Sequence, residues 1–195
     1  LITGGSKGIG RETAKIFAKK KCKVIITGRR VEELTKTSHL IKSEFGFCDF
    51  YQGDVTSVVD CQRIIAAVIE KYHRIDILIN NAGMSMRGMF TETSIELFHK
   101  VMDINFTGAV NMTKIALPKI IESQGSILFI SSLSGLKGIP GIAPYCASKM
   151  ALTGLSESLR AELYDLHVLV GIIYVGFTEN DADKTIYSAN GDRIP

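Results

Sequence analysis

Short runs of branched apolar residues alternate with amphipathic stretches along almost the whole chain, and this alternation restricts the fold more than any other feature. Runs at 1–3, 23–27, 47–52, 76–80, 126–131 and 168–175 predict six strands. Stretches at 9–20, 31–45, 57–72, 94–123 and 143–166 carry the helical period. Ile77-Leu78-Ile79 and Ile127-Leu128-Phe129-Ile130 are unbroken apolar runs, which suit strands buried on both faces of a parallel sheet. Strand–helix alternation then implies right-handed βαβ crossovers and a doubly wound α/β fold of three layers, with helices on both faces. With 195 residues and no linker or internal repeat, a single domain over 1–195 is expected.

Composition removes several classes of function. With 46% hydrophobic and 22% charged residues, disorder is excluded; a net charge of +3 is too small for a nucleic-acid footprint. No run approaches the ~18 apolar residues of a membrane span. Cys22, Cys48, Cys61 and Cys146 form no CxxC pair, so no metal is expected and a reducing, cytoplasmic setting is. The chain opens on Leu1-Ile2-Thr3, as if inside a strand, and closes on Ile194-Pro195 without an element. A truncated first strand and an incomplete C-terminal substrate region are therefore expected, which leaves open an anchor beyond either end.

Thr3-Gly4-Gly5-Ser6-Lys7-Gly8-Ile9-Gly10 joins the first strand to the first helix. Gly4 permits a sharp turn, Gly8 lets backbone approach a pyrophosphate, and Gly10 allows close packing, with the helix N-terminus facing the phosphates. This is the arrangement of a Rossmann-type dinucleotide site. The second strand ends Thr27-Gly28-Arg29-Arg30, where an NAD-binding domain usually carries an acid. A guanidinium there suits a phosphate, and Lys7 adds a second cation. Arg30 reads equally well as a solvated charge. Asp54 either meets a ligand or caps the helix near Ser57, and Asn80 is placed to tie neighbouring strands.

The glycine spacing resembles the Thr-Gly-x-x-x-Gly-x-Gly signature of the short-chain dehydrogenase/reductase family. Asn80-Asn81-Ala82-Gly83 and Tyr145-Cys146-Ala147-Ser148-Lys149 carry the resemblance through the chain, from Thr3 to about Thr178. It implies contacts to NADP(H), in preference to NAD(H), from Gly4, Ser6, Lys7, Gly8, Ile9, Gly10, Arg29, Asp54, Val55, Asn81, Ala82, Gly83, Tyr145, Lys149 and Thr178. It also implies a catalytic set of Asn105, Ser132, Tyr145 and Lys149. Ser132 would bind the substrate oxygen, Tyr145 would exchange a proton with it, Lys149 would lower the phenol's pKa, and Asn105 would hold a water. Ser131 reads as a strand-end hydroxyl.

The expected activity is NADP(H)-dependent interconversion of a ketone and a secondary alcohol, on a lipid-like substrate of the ketosphinganine or steroid type. A 3-oxoacyl-carrier-protein reductase and a non-catalytic dinucleotide sensor or scaffold are the alternatives. Family members pair their long helices, so a homodimer or homotetramer is expected. Val175 stands where the family has proline, and Asn180 where it has threonine, so Thr178 and Asn180 are both candidates for a cofactor contact. Met84, Met86, Met89 and Phe90 read either as cleft lining or as core, and 181–195 as substrate loop or disordered tail.

Overall fold

The computed structural model describes residues 1–178 and 186–194. Six strands, β1 (Ile2–Thr3), β2 (Val24–Gly28), β3 (Cys48–Gln52), β4 (Ile77–Asn80), β6 (Ser126–Ser132) and β7 (Leu169–Val175), form one sheet. Its order is β3-β2-β1-β4-β6-β7 and every pairing is parallel. Between them run α1 (Gly8–Lys19), α2 (Val31–Glu44), α3 (Val58–Tyr72), α4 (Ile95–Met102), α5 (Gly108–Glu122) and α6 (Ala143–Glu162).

Period-two alternation along the strands builds two cores. Ile26 and Ile79 point to one face, where Ala14 and Ala18 of α1 and Leu34 and Ile41 of α2 cover them. Ile25, Leu78 and Phe129 point to the other, against Ile64 and Val68 of α3, Met112 of α5 and Leu152 of α6. At the β7 edge the first face is partly open: Leu169 and Ile173 stay exposed.

Two departures from the expected elements bear on the site. The stretch 94–123 is not one regular helix. A π-helical turn, Asp103–Thr107, separates α4 from α5, and Asn105 is buried within it. One extra residue per turn rotates a side chain out of the α register, which suits a functional position. Residues 186–194 also form structure. β8 (Ile186–Tyr187) and β9 (Arg193–Ile194) pair antiparallel, and β8 lies parallel to β5 (Ser85–Met86) in a small second sheet. The reading of 181–195 as a disordered tail therefore fails for 186–194.

Candidate active site

Successive βα turns meet beyond the C-terminal ends of the strands, the usual ligand position of an open parallel sheet. The glycine turn is the most constrained of them. Gly4 has φ +63, and a Cβ there would stand 2.9 Å from Ala82 Cα. A Cβ on Gly10 would meet the Gly4 carbonyl oxygen at 2.4 Å and Asn81 Nδ2 at 2.5 Å. Gly10 thus serves packing against the turn itself. Gly8, with φ +52, has nothing within 4 Å of its Cβ position. That open cradle beside the N-terminus of α1 fits a phosphate. Thr37 of α2 pins the loop by donating a 2.8 Å hydrogen bond to the Ser6 carbonyl. Ile9 packs against the α1–α2 core.

Thr3 and Asn81 hold this turn to the end of β4. Buried Thr3 Oγ1 accepts from the N–H groups of Asn81 and Ala82, both at 3.0 Å. Asn81 Nδ2 donates to the carbonyls of Thr3 at 2.9 Å and Gly4 at 3.1 Å. The tie between β1 and β4 therefore comes from Asn81. Asn80 donates to Thr113 Oγ1 at 2.9 Å and so binds β4 to α5.

At the ends of β2 and β3, Arg29 Nη1 approaches Asp54 Oδ2 at 3.8 Å, and Lys7 Nζ approaches Glu33 Oε2 at 3.6 Å. Both cations lie on the ligand side of the sheet, next to carboxylates of their own chain. Asp54 Oδ1 accepts from Thr56 N at 3.0 Å and Thr56 Oγ1 at 2.9 Å. Asp54 therefore orders its own turn, while Ser57 caps α3 by accepting from Asp60 N. Sequence reading overlooked Asp60, whose Oδ2 accepts from Asp54 N at 2.9 Å. The Ser57-x-x-Asp60 spacing of a capping box is the signal that marks it. Buried Val55 offers its carbonyl to Asn111 Nδ2 at 3.0 Å.

The reacting groups converge from β6, α6 and the π turn. Ser132 ends β6, and its Oγ accepts from Ser134 N at 3.1 Å. Tyr145 lies in the first turn of α6, hydrogen-bonded to Ser132. Burial pushes the Tyr145 phenol above its ordinary value, and the hydrogen bond with Ser132 pulls the other way. Lys149, one turn on, is buried, and desolvation lowers its pKa to about 8. Its Nζ donates to the Ile130 carbonyl at 2.8 Å and stands 5.8 Å from the Tyr145 ring centroid. Against expectation, Lys149 is not among the groups that move the phenol in this arrangement: burial raises it, and the Ser132 hydroxyl is what lowers it. Ser131 Oγ donates to the Lys149 carbonyl at 3.2 Å, a structural link between strand and helix.

The Asn105 amide is fully engaged. Its Oδ1 accepts from Met84 N at 2.7 Å, and Nδ2 donates to the Met84 carbonyl at 3.0 Å and to Ser148 Oγ at 2.9 Å. Gly83 sits between Asn105 and Lys149; its Cβ position lies 3.1 Å from Asn105 Oδ1 and 3.6 Å from Lys149 Nζ. Met84 and Met86 are buried with Leu97 and Val101, and Ile142, Tyr145 and Tyr187 pack on that cluster. Met89 and Phe90 are exposed. The four-residue set therefore divides between core and surface. The β8–β9 hairpin closes over this wall through Arg87 N, which donates to the Tyr187 carbonyl at 2.7 Å, and Ser94 N, which donates to the Ala189 carbonyl at 3.1 Å. Thr178 is exposed after β7; Asn180 lies outside the described residues.

Comparison with known proteins agrees with this geometry. The family model "short chain dehydrogenase" matches residues 1–191. Dehydrogenase/reductase SDR family member 7B of Mus musculus is 36% identical over 99% of this chain and 61% of its own length. A 3-ketodihydrosphingosine reductase of Dictyostelium discoideum is 33% identical over 89% of this chain and 58% of its own. The chain thus spans about three-fifths of the length of these relatives. The crystal structure of an actinorhodin polyketide ketoreductase with NADPH superposes with a TM-score of 0.90 at 33% identity, covering 92% of this chain and 70% of that one. A short chain dehydrogenase from Shigella flexneri complexed with NADP gives 0.87 at 31%, covering 92% and 77%. Among the described residues no helix is long and apolar enough to cross a membrane. A glycine turn held by Asn81, a Ser132–Tyr145 contact and a buried Lys149, on a parallel sheet matched over its whole extent, place this chain in the short-chain dehydrogenase/reductase family.

Proposed function

We propose that this chain carries the cofactor site and catalytic groups of an NADP(H)-dependent oxidoreductase that interconverts a ketone and a secondary alcohol. The observation that carries this reading is the Ser132–Tyr145 contact at the end of β6, with Lys149 one helical turn away. The nicotinamide dinucleotide, when bound, supplies or accepts the hydride. Gly8 offers room for its phosphates, and Lys7 and Arg29 are the cations for a 2′-phosphate. Two structural relatives, one solved with NADPH and one complexed with NADP, support that preference.

The protein's own groups then divide the work. Ser132 donates a hydrogen bond to the substrate oxygen. Tyr145, kept protonated by burial, gives that oxygen a proton in reduction and removes it in oxidation. Lys149 in its charged form stabilises the resulting phenolate. Asn105 positions the 82–84 turn beside Lys149. The half-buried apolar side chains of Ile142 and Tyr187, which pack with Tyr145 on the Met84–Met86 core, suit a lipid-like ketone, and the sphingolipid and polyketide reductases among the relatives point the same way. A homodimer or homotetramer and a cytoplasmic setting complete the proposal.

The test is a substrate screen. Oxidation of NADPH is followed with the full-length protein and a panel of 3-ketosphinganine, a ketosteroid and a 3-oxoacyl thioester. Turnover of 3-ketosphinganine or the steroid is expected. Turnover of the thioester alone would move the substrate to the acyl-carrier class. NADPH binding without oxidation by any member would overturn the enzymatic reading in favour of a sensor.

A further inference from the structure

We propose that Ser148 is a positioning residue, which acts through Asn105 to hold the 82–84 turn in register with the helix that bears Tyr145 and Lys149. Ser148 is fully buried, between Tyr145 and Lys149 in sequence but with a different set of partners. Its Oγ donates to the Tyr145 carbonyl at 2.8 Å and accepts from Asn105 Nδ2 at 2.9 Å. The rest of the Asn105 amide forms a two-point clamp on Met84, one bond to the N–H and one to the carbonyl. Three segments distant in sequence therefore meet at one amide: the turn after β4, the π turn, and α6.

The chemistry gives this junction its consequence. An amide has two donor hydrogens in a fixed plane. With one on Met84 and the other on Ser148, the amide plane, and with it the Met84 backbone, is referenced to α6. Gly83 stands immediately before Met84 and close to Lys149 Nζ. A hydroxyl at 148 thereby sets the distance between the cofactor-side turn and the proton-transfer groups. Without it, one buried amide hydrogen has no acceptor and the clamp is free to tilt. A displacement of about 1 Å at a reacting centre costs up to roughly a hundredfold in rate.

This inference rests on the reductase reading, and its test keeps the two apart. Ser148→Ala is compared with the parent and with Leu152→Ala, which loosens the same helix by removing core packing without touching the amide. Ser148→Ala is expected to lower kcat by roughly ten- to a hundredfold with KM for the ketone within about twofold. Hydrogen exchange at the Met84 N–H should accelerate. Asn105→Ala and the double variant should differ by less than about twofold in kcat, because Ser148 acts through Asn105. Equal kcat losses in Ser148→Ala and Leu152→Ala would reduce Ser148 to a packing residue and overturn the proposal. Unchanged exchange at Met84, or losses that multiply in the double variant, would also overturn it. If the parent reduces no ketone, the reductase reading falls, and exchange at Met84 alone decides the link.

Discussion

Lys149 Nζ donates a 2.8 Å hydrogen bond to the carbonyl of Ile130, two residues before Ser132 on the same strand. A buried ammonium is thereby held on main chain, facing the groups it serves from 5.8 Å off the Tyr145 ring centroid. Burial lowers its pKa from 10.5 to about 8.

That burial makes stability depend on pH. Below about pH 8 Lys149 is charged both folded and unfolded, and the cost of burying the charge is fully present. Between about 8 and 10.5 only the unfolded chain holds the proton, so stability rises with pH across this window. Lys149→Met removes the effect, worth on the order of 3 kcal/mol at most, since each pKa unit is about 1.4 kcal/mol. Urea unfolding of parent and variant from pH 7 to 10.5 should show the parent gaining on the variant as pH rises. A constant difference would contradict the burial.

Tyr145→Phe keeps the ring in its cluster and deletes the proton donor. Turnover should fall by roughly 10²- to 10⁴-fold while NADPH affinity stays within a few-fold. Because the phenol lies above its ordinary value, it stays protonated through neutral pH. Ketone reduction by the parent should therefore hold level from pH 6 to 7 and decline as pH rises through about 8, where Lys149 loses its charge. Steady-state rates and a fluorescence titration measure both.

Two glycines of one turn should respond differently to alanine. Gly8→Ala faces open space at φ +52, so its cost is the left-handed backbone of an L-residue, about 1–2 kcal/mol, and a methyl in the phosphate cradle. Weakened NADPH binding by a protein that still folds is expected. Gly10→Ala puts a methyl 2.4 Å from the Gly4 carbonyl oxygen. A loss of about 1–3 kcal/mol in stability should come with it. Thermal melts with and without NADPH separate the two.

Arg29→Ala should raise the Kd for NADPH by roughly tenfold or more, the scale of one charge-assisted hydrogen bond, and leave that for NADH unchanged. Equal losses for both cofactors would remove Arg29 from the 2′-phosphate.

Asp49 on the edge strand β3 should govern part of the acid transition. Partial burial alone would raise its pKa, but bonds from Lys71 Nζ at 2.6 Å, Tyr72 Oη at 2.5 Å and Lys42 Nζ at 3.1 Å lower it from 3.8 to about 2. Its contribution is present above about pH 4 and is lost as pH falls toward 2. Asp49→Asn should destabilise the fold at pH 6 and converge with the parent near pH 2, as read by urea midpoints.

Most of the strands and helices of the main sheet were legible because each carries a local signal, a continuous apolar run in Val24–Gly28 or a helical period in Val58–Tyr72. The glycine turn was legible because φ above zero at Gly4 and Gly8 demands that residue type. Tyr145 and Lys149 share a helix face by spacing alone. None of this required knowing which distant segment lies opposite. Tertiary structure decided what depends on that. β5, β8 and β9 are two residues each, too short for any period, and form only because 186–194 docks on 85–94. Asn81 reaches Gly4 across 77 positions, and Asn105 reaches Ser148 across 43, so their hydrogen bonds have no local signature. The direction of the Tyr145 pKa turned on burial, a property of the packed molecule that helical spacing alone does not reveal.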